Sequence, residues 1–209
     1  MPLIPKDYRQ RGIAWLGCIS RSMVAAILLA QISSVFTSAQ TSIDPEKSVM
    51  TVHVFKAGLF SAFGHEHEIR APMQQGFFNE SHPAVELTVD AHKLRVVDKE
   101  ISDKDRAQVQ QDMLGPKVLD SERFSEIRFH STSVDRLGEG KWLVTGDLTL
   151  HGQTRPVKVN VEGQNGHYKG TAELKQKDFG ITPIVVGGGA VKVKNELRVE
   201  FDVVGTGAP

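Results

Sequence analysis

From Val49 onward, apolar residues recur at every second position over short runs, and clusters of Gly, Pro, Asn or Asp separate one run from the next. A period of two puts alternate side chains on opposite faces of a strand, so each run predicts a strand with one dry face and one wet face. Ile127 and Phe129 share a face in Glu126 to Ser131, and Trp142, Val144, Leu148 and Leu150 share one in Lys141 to Leu150. Val157, Val159 and Val161 alternate with Lys158, Asn160 and Glu162. Leu197, Val199, Phe201 and Val203 alternate with Arg198, Glu200 and Asp202. About eight to ten strands follow from this pattern. Gly138-Glu139-Gly140, Gly163 to Gly166 and Gly187-Gly188-Gly189 separate adjoining runs and suit tight hairpins, because glycine enters positive φ at no steric cost. Only Ser102 to Leu114 breaks the alternation. It is rich in helix formers, opens on a capping serine with acids behind it, and stops before Gly115-Pro116, which predicts one helix inserted between strands.

The class is therefore all-β and antiparallel. Strands with one wet face occur in sandwiches and in barrels, and a closed barrel removes the free edges that invite aggregation. The pattern shows no repeat, low-complexity tract or internal linker, so one domain from about Ser42 to Val204 accounts for it.

Composition narrows the function classes. The 209 residues hold 25 Lys plus Arg and 25 Asp plus Glu, so there is no positive surplus to drive general binding to nucleic acid. The first 39 residues hold Lys6, Arg9, Arg11 and Arg21 against Asp7, which leaves 21 basic and 24 acidic residues in the remainder. Met23 to Phe36 is mostly apolar, follows this basic cluster and leads into Thr37-Ser38-Ala39, whose small residues suit a signal peptidase. Residues 1–39 read as an export signal cut after Ala39, giving a mature chain of residues 40–209 in the periplasm or outside the cell. The competing reading is an uncleaved anchor, since Ile13 to Ile19 adds a second apolar run, but the stretch is short for a bilayer span and is diluted by Gln31, Ser33 and Ser34. The single cysteine, Cys18, lies in this leader, so the remainder can form no internal disulfide, thiolate metal site or cysteine nucleophile.

Candidate chemistry centres on Gly64-His65-Glu66-His67-Glu68-Ile69. A strand there places His65, His67 and Ile69 on one face and Glu66, Glu68 and Arg70 on the other. Two imidazoles two residues apart can ligate zinc or copper only if further ligands converge, from His53, His92, His130 or His151. The alternative is a polar pair at a barrel mouth, bonded to water or to a ligand head group. The metalloprotease motif is excluded because it needs histidines four apart on a helix. Asp178-Phe179-Gly180 matches a kinase triplet by letters alone, without a phosphate-cradling loop or a catalytic His-Arg-Asp segment. No nucleophile elbow, phosphate loop or dinucleotide fingerprint is present, so no enzyme activity and no cofactor are expected.

Two further segments carry a resemblance. Leu119-Asp120-Ser121-Glu122-Arg123-Phe124-Ser125-Glu126-Ile127-Arg128-Phe129, followed by Val144-Thr145-Gly146-Asp147-Leu148-Thr149-Leu150-His151-Gly152-Gln153-Thr154-Arg155-Pro156-Val157, resembles the YceI-like family of lipid- and polyisoprenoid-binding proteins. Asp178-Phe179-Gly180-Ile181 and Val191 to Val199 look like that family's closing strands, while Phe63 to Ile69 departs from its usual opening. The resemblance implies a lipocalin-like antiparallel β-barrel, export to the bacterial periplasm, and a lumen holding a long apolar chain such as an isoprenoid quinone, a polyisoprenoid or a fatty amide. It also makes a homodimer plausible. On the residues, Gly146-Asp147 marks a kink or bulge, and His151 to Pro156 supplies the turn before Val157.

The expectation is a non-catalytic binding protein. Its lumen would be lined by some of Phe55, Phe63, Ile127, Phe129 and Trp142, and of Leu148, Leu150, Phe179, Ile181 and Phe201, with His65 and His67 at the mouth. Two alternatives stand beside it: an exported metal-binding protein or metalloenzyme using His65 and His67, and a barrel packed solid with side chains.

Overall fold

The computed structural model describes residues 40–57, 66–186 and 191–206. The leader with its cleavage position at Ala39, the candidate site residues Phe63 and His65, and the triple glycine at 187–189 lie outside them. The described strands are β1 (Thr41–Ser42), β2 (Val49–Ala57), β3 (His67–Arg70), β4 (Met73–Asn79), β5 (Ala84–Asp90) and β6 (Arg95–Val96). After helix α1 (Asp103–Leu114) come β7 (Glu126–Gly138), β8 (Lys141–Leu150), β9 (Gln153–Gln164), β10 (His167–Lys175), β11 (Val185–Val186) and β12 (Val191–Val204). All pairings are antiparallel and follow the order β1-β4-β5-β7-β8-β9-β10-β12-β2-β3-β6, with β11 added beside β12. The expected all-β barrel architecture with one inserted helix is present. β1, β6 and β11 have two residues each, too few to show an alternation in the sequence.

Two hairpins are set by paired positive φ angles. His151 (φ 50°) and Gly152 (φ 71°) join β8 to β9, and Asn165 (φ 54°) and Gly166 (φ 79°) join β9 to β10. Two consecutive left-handed residues give a turn whose twist matches that of the flanking strands. The β8–β9 turn is tighter than the sequence implied: Gln153 already lies opposite Leu150, and Pro156 opposite Asp147.

The sheet curls until β1, at one end of the order, reaches the end of β12 in hydrogen bonds. β3 pairs with β2, whereas β4, only two residues further on, pairs with β5 and β1. The switch falls at Ala71-Pro72, where Ala71 N–H still reaches Met50 O at 3.0 Å and proline has no N–H to give. β1 completes the wrap. Ile43 bridges Gly205, Asp44 N–H bonds Val204 O and Thr206 N–H bonds Ser42 O, both at 2.7 Å.

Helix α1 is capped by the Ser102 hydroxyl, which accepts from Asp105 N–H at 3.1 Å, and it ends at Gly115. Polar bonds tie it to the edge of the sheet, while Val109, Met113 and Leu114 pack on the core. The Gln110 side-chain amide accepts from Val96 N–H at 2.8 Å and donates to Leu94 O at 2.9 Å, as an additional strand would. Arg106 Nε adds a bond to Asp98 O at 2.9 Å. An edge that would otherwise expose backbone groups is closed by one glutamine.

Two glycines on inward faces seat phenylalanine rings. A Cβ on Gly146 would stand 2.5 Å from both Phe129 Cζ and His130 O, and one on Gly170 would stand 2.4 Å from Phe201 Cζ and Asn160 O. The bulge expected at Gly146-Asp147 lies across the ladder, where the β7 register shifts between Ser131 and Ser133 opposite Gly146 and Thr145. At the end bearing the β4–β5 and β9–β10 turns, Glu80 accepts from Gly166 N–H at 3.1 Å and from the Tyr168 hydroxyl at 2.5 Å. Phe78 packs edge-on against the Tyr168 ring with centroids 5.3 Å apart. Burial first, then the Glu80 carboxylate, push the Tyr168 phenol above its ordinary pKa of 10.0.

Two predictions follow from this packing. Replacing Gly146 or Gly170 by alanine should lower stability by about 1 to 3 kcal/mol, because the blocking carbonyl oxygens cannot swing aside and overpacking outweighs the ~0.4 to 1 kcal/mol gained by restricting the unfolded chain. Urea denaturation reads this, and an unchanged or raised midpoint would refute the seating. Above the ordinary phenol pKa, the unfolded chain releases the Tyr168 proton while the folded chain keeps it, so stability should fall as pH rises through that range. Phenolate absorbance should show Tyr168 ionising only with unfolding, and at lower pH in Glu80→Gln. Ionisation of the folded protein at the ordinary value would contradict the pairing.

Candidate ligand cavity

The inward side chains fall into rows that cross the strands. One row runs Trp142, Val161, Gly170, Phe201, Met50, and the next runs Val144, Val159, Ala172, Val199, Val52. Apart from Trp142 and Phe201, these side chains are small or of middle size. They line a cavity of about 610 Å³ whose wall is mainly aliphatic. That volume lies inside the range of about 300 to 1,000 Å³ usual for small-molecule sites.

Of the residues expected on the wall from the sequence, Ile127, Phe129, Trp142, Leu148, Leu150, Ile181 and Phe201 line the cavity, and so does His67. Phe55 does not. The inward positions of β2 are Met50, Val52, Val54 and Lys56, and the Phe55 ring lies on the other face with Lys194 Nζ 5.8 Å and Arg198 Cζ 5.7 Å from its centroid. The sequence held the signal for this correction, because Phe55 shares its parity with Thr51 and His53. Phe179 also leaves the wall. It is 1% exposed, packed in the core from a short 3-10 turn (Gln176–Phe179) that is closed by Gly180 at φ 74°. A strand alternation does not apply to a residue on such a turn. The Asp178-Phe179-Gly180 triplet is thereby accounted for as a core plug and its cap. His151 Nδ1 bonds the Phe179 carbonyl at 3.1 Å and holds the turn against the β8–β9 hairpin.

Several wall residues escaped sequence reasoning. Val109 and Met113 reach the cavity from α1, and Tyr168 reaches it from β10. A helix with one buried side chain leaves little amphipathic signal. Leu87 and Val89, by contrast, lie in an alternating run, Ala84 to Asp90, that could have placed them.

Polar groups sit at the two ends of this cavity. At one end His67 Nδ1 lies 2.6 Å from Asp98 Oδ2, and the other Asp98 oxygen accepts from Glu68 N–H at 2.7 Å. The Asp98 side chain is 5% exposed. An ionised carboxylate only accepts, so Nδ1 carries the proton and the ring is fixed with Nε2 as its remaining polar atom. Lys56 and Lys192 line the same end, where Lys56 stands opposite Val193 and Lys192 opposite Ala57. Asn79, Glu80 and Tyr168 line the other end.

The further histidines weighed as metal ligands do not join His67. His53 lies beside Glu200 at 3.4 Å, His92 beside Asp90 at 3.1 Å and His130 beside Glu86 at 3.2 Å, while His151 holds the Phe179 carbonyl. Among the described residues, no three or more His, Cys, Asp or Glu side chains are grouped to hold a metal ion.

Comparison with known proteins agrees with this architecture. A UPF0312 protein of Vibrio cholerae is 37% identical over 114 residues, a match covering 50% of this chain and 59% of the relative. A UPF0312 protein of Pseudomonas savastanoi is 37% identical over 117 residues, covering 51% of this chain and 53% of the relative. These matches thus span little more than half the length of the curated relatives. Among solved structures, Burkholderia cenocepacia BcnA superposes with a TM-score of 0.56 at 20% identity, over 78% of this chain and 98% of that one, a likeness of fold. The model of the YceI-like domain matches residues 42–205, from the strand that completes the wrap to the glycine it bridges, and the chain belongs to the YceI-like domain family.

Proposed function

We propose that this protein is a non-catalytic binding protein that holds a long apolar lipid or isoprenoid chain inside its barrel, with the ligand's polar head at the His67 end. The observation that carries the reading is the cavity itself, about 610 Å³ bounded mainly by aliphatic and aromatic side chains, with His67 and Asn79, Glu80 and Tyr168 toward opposite ends. An isoprenoid quinone, a polyisoprenoid or a fatty amide has that distribution of polarity. The energetics are consistent with reversible carriage. Burying about fifteen methylene equivalents at ~0.8 kcal/mol each gives roughly 12 kcal/mol, against an association cost of about 4 to 15 kcal/mol. Affinity then depends on chain length, and His67, oriented by Asp98, selects among head groups. Export to the periplasm or beyond, with removal of residues 1–39, belongs to the same proposal and rests on the basic, apolar, small-residue order of the leader.

Stripped of bound lipid and titrated with fatty amides of increasing length, the protein should bind each longer homologue more tightly, by up to about fourfold per methylene, until the cavity is filled. Leu148→Arg should abolish uptake while the thermal melt stays cooperative, and His67→Ala should alter head-group preference but keep the dependence on length. Binding indifferent to chain length would leave the packed barrel as the better reading. For export, N-terminal sequencing of protein from an exporting host should begin at Gln40. A Met1 start in that fraction would count against cleavage.

A further inference from the structure

One inward row of the sheet runs His67, Val54, Leu197, Leu174, and the chain leaving Leu174 turns at Gln176 into the 3-10 segment. All five side chains line the cavity. Two of them are polar, and in both the fold has fixed which atom is left over. Asp98 Oδ1 accepts from Glu68 N–H at 2.7 Å, and His67 Nδ1–H donates to Asp98 Oδ2 at 2.6 Å. With the proton held on Nδ1, the Nε2 of the neutral ring is a bare lone pair on the far side of the imidazole. Gln176 is 6% exposed, and its Nε2 donates to Lys194 O at 2.7 Å. A carbonyl partner there assigns the amide and leaves Oε1, an acceptor. Neither Nε2 of His67 nor Oε1 of Gln176 has a partner among the described residues. Neither is sealed inside protein, a condition that among those residues falls on His53 Nε2 and Trp142 Nε1.

The charged groups nearby do not change this sign. Glu68, the next residue of β3, takes the outer face. Lys56 and Lys192 stand further along β2 and β12, close to the ends of those strands, and an ammonium group only donates. The row therefore leaves two acceptors open on its inner side, with the lysine donors further out.

We infer that the His67 end selects amphiphiles whose head group donates a hydrogen bond, namely an alcohol, a phenol, a hydroquinone or an amide with an N–H. Heads of like size that only accept, such as a quinone or a ketone, are rejected. The inference rests on the binding function proposed above and adds the sign of the head group. A donor head meets the ring lone pair and the amide oxygen. An acceptor-only head sets lone pair against lone pair and leaves both atoms desolvated and unpaired. Among isoprenoid redox lipids this end takes the reduced form. Asp98 is a positioning residue: it acts through His67 by deciding which nitrogen bears the proton. In Asp98→Asn the one amide oxygen is still required by Glu68 N–H, which turns the NH2 toward Nδ1. Nδ1 must then accept, the ring proton moves to Nε2, and the site presents a donor instead.

The test titrates the full chain, stripped of lipid, with long-chain primary alcohols and with methyl ketones of the same lengths. It is run at about pH 9, above the ordinary imidazole value near 6.5. The quantity read is the ratio of alcohol to ketone affinity, and comparing that ratio between variants cancels the different hydration of the two ligands. The ratio should be roughly tenfold higher in the parent than in His67→Phe. In Asp98→Asn it should collapse because the ketone binds more tightly than it does to the parent. Nitrogen NMR of the ligand-free parent should show the assigned His67 ring protonated at Nδ1 and bare at Nε2, a readout that does not depend on either variant folding. A proton on Nε2 in the parent, or the same ratio in the parent and His67→Phe, would overturn the inference. Uptake that grows with chain length yet treats both heads alike overturns the head-group selection alone, whereas no uptake of either series overturns the binding function and the selection with it.

Discussion

Everything in this molecule depends on finding partners for the backbone groups at the two ends of a long curled sheet. An unpaired edge exposes a row of N–H and C=O groups that either attract another chain or go unsatisfied. Here three local devices meet the requirement. The chain leaves β2 for β5 at Ala71-Pro72, where a residue without an N–H costs the ladder nothing. The short β1 links β4 to the end of β12 through Ile43 and Gly205. Gln110 supplies β6 with the amide that a further strand would have given. The family match begins and ends on this wrap, at residues 42 and 205.

Once the sheet is wrapped, the size of the inward side chains decides whether it encloses a core or a cavity. β9 contributes Val157, Val159 and Val161, β2 contributes Val52 and Val54, and β10 contributes Ala172 and the bare backbone of Gly170. Such residues are good strand formers but reach only a short way inward, and space is left along the middle. The large rings are kept close to the wall. Phe129 and Phe201 each lie against a glycine of the neighbouring strand, so their area adds to the apolar lining with less loss of lumen than a ring over a Cβ would cause. The glycines therefore serve the cavity as well as the curvature.

The strands that were legible in the sequence are those in which burial on one side writes a period of two, namely β7, β8, β9 and β12. The helix was legible from Ser102 and Gly115. What the sequence hid has a common cause. β1, β6 and β11 are fixed by partners distant in the chain, and two residues carry no period. Nothing in the sequence marks Gln110, because bonding to a strand edge leaves no trace on hydropathy. Phe55 and Phe179 were both expected in the lumen from aromatic character alone. Parity excludes the first and the 3-10 turn the second. Asp98, which fixes His67, lies 31 residues from it in the chain, a separation that no local motif spans.

The His67–Asp98 pair shows why the two ends of the cavity are not equivalent. At the far end, one Glu80 oxygen accepts from both the Tyr168 hydroxyl and Gly166 N–H and so holds two turns together. At the near end, Asp98 is committed to Glu68 N–H and to one nitrogen of His67, and that leaves the second nitrogen of the ring. A buried carboxylate that orients an imidazole fixes its tautomer before any ligand arrives, so little ordering remains to be done on binding. Both ends are polar, and at the near end the second nitrogen of the ring is presented with its direction already set. Under the binding function proposed above, an amphiphile would gain by placing its head beside this oriented ring and its chain along the valines, because little ordering would remain to be done there.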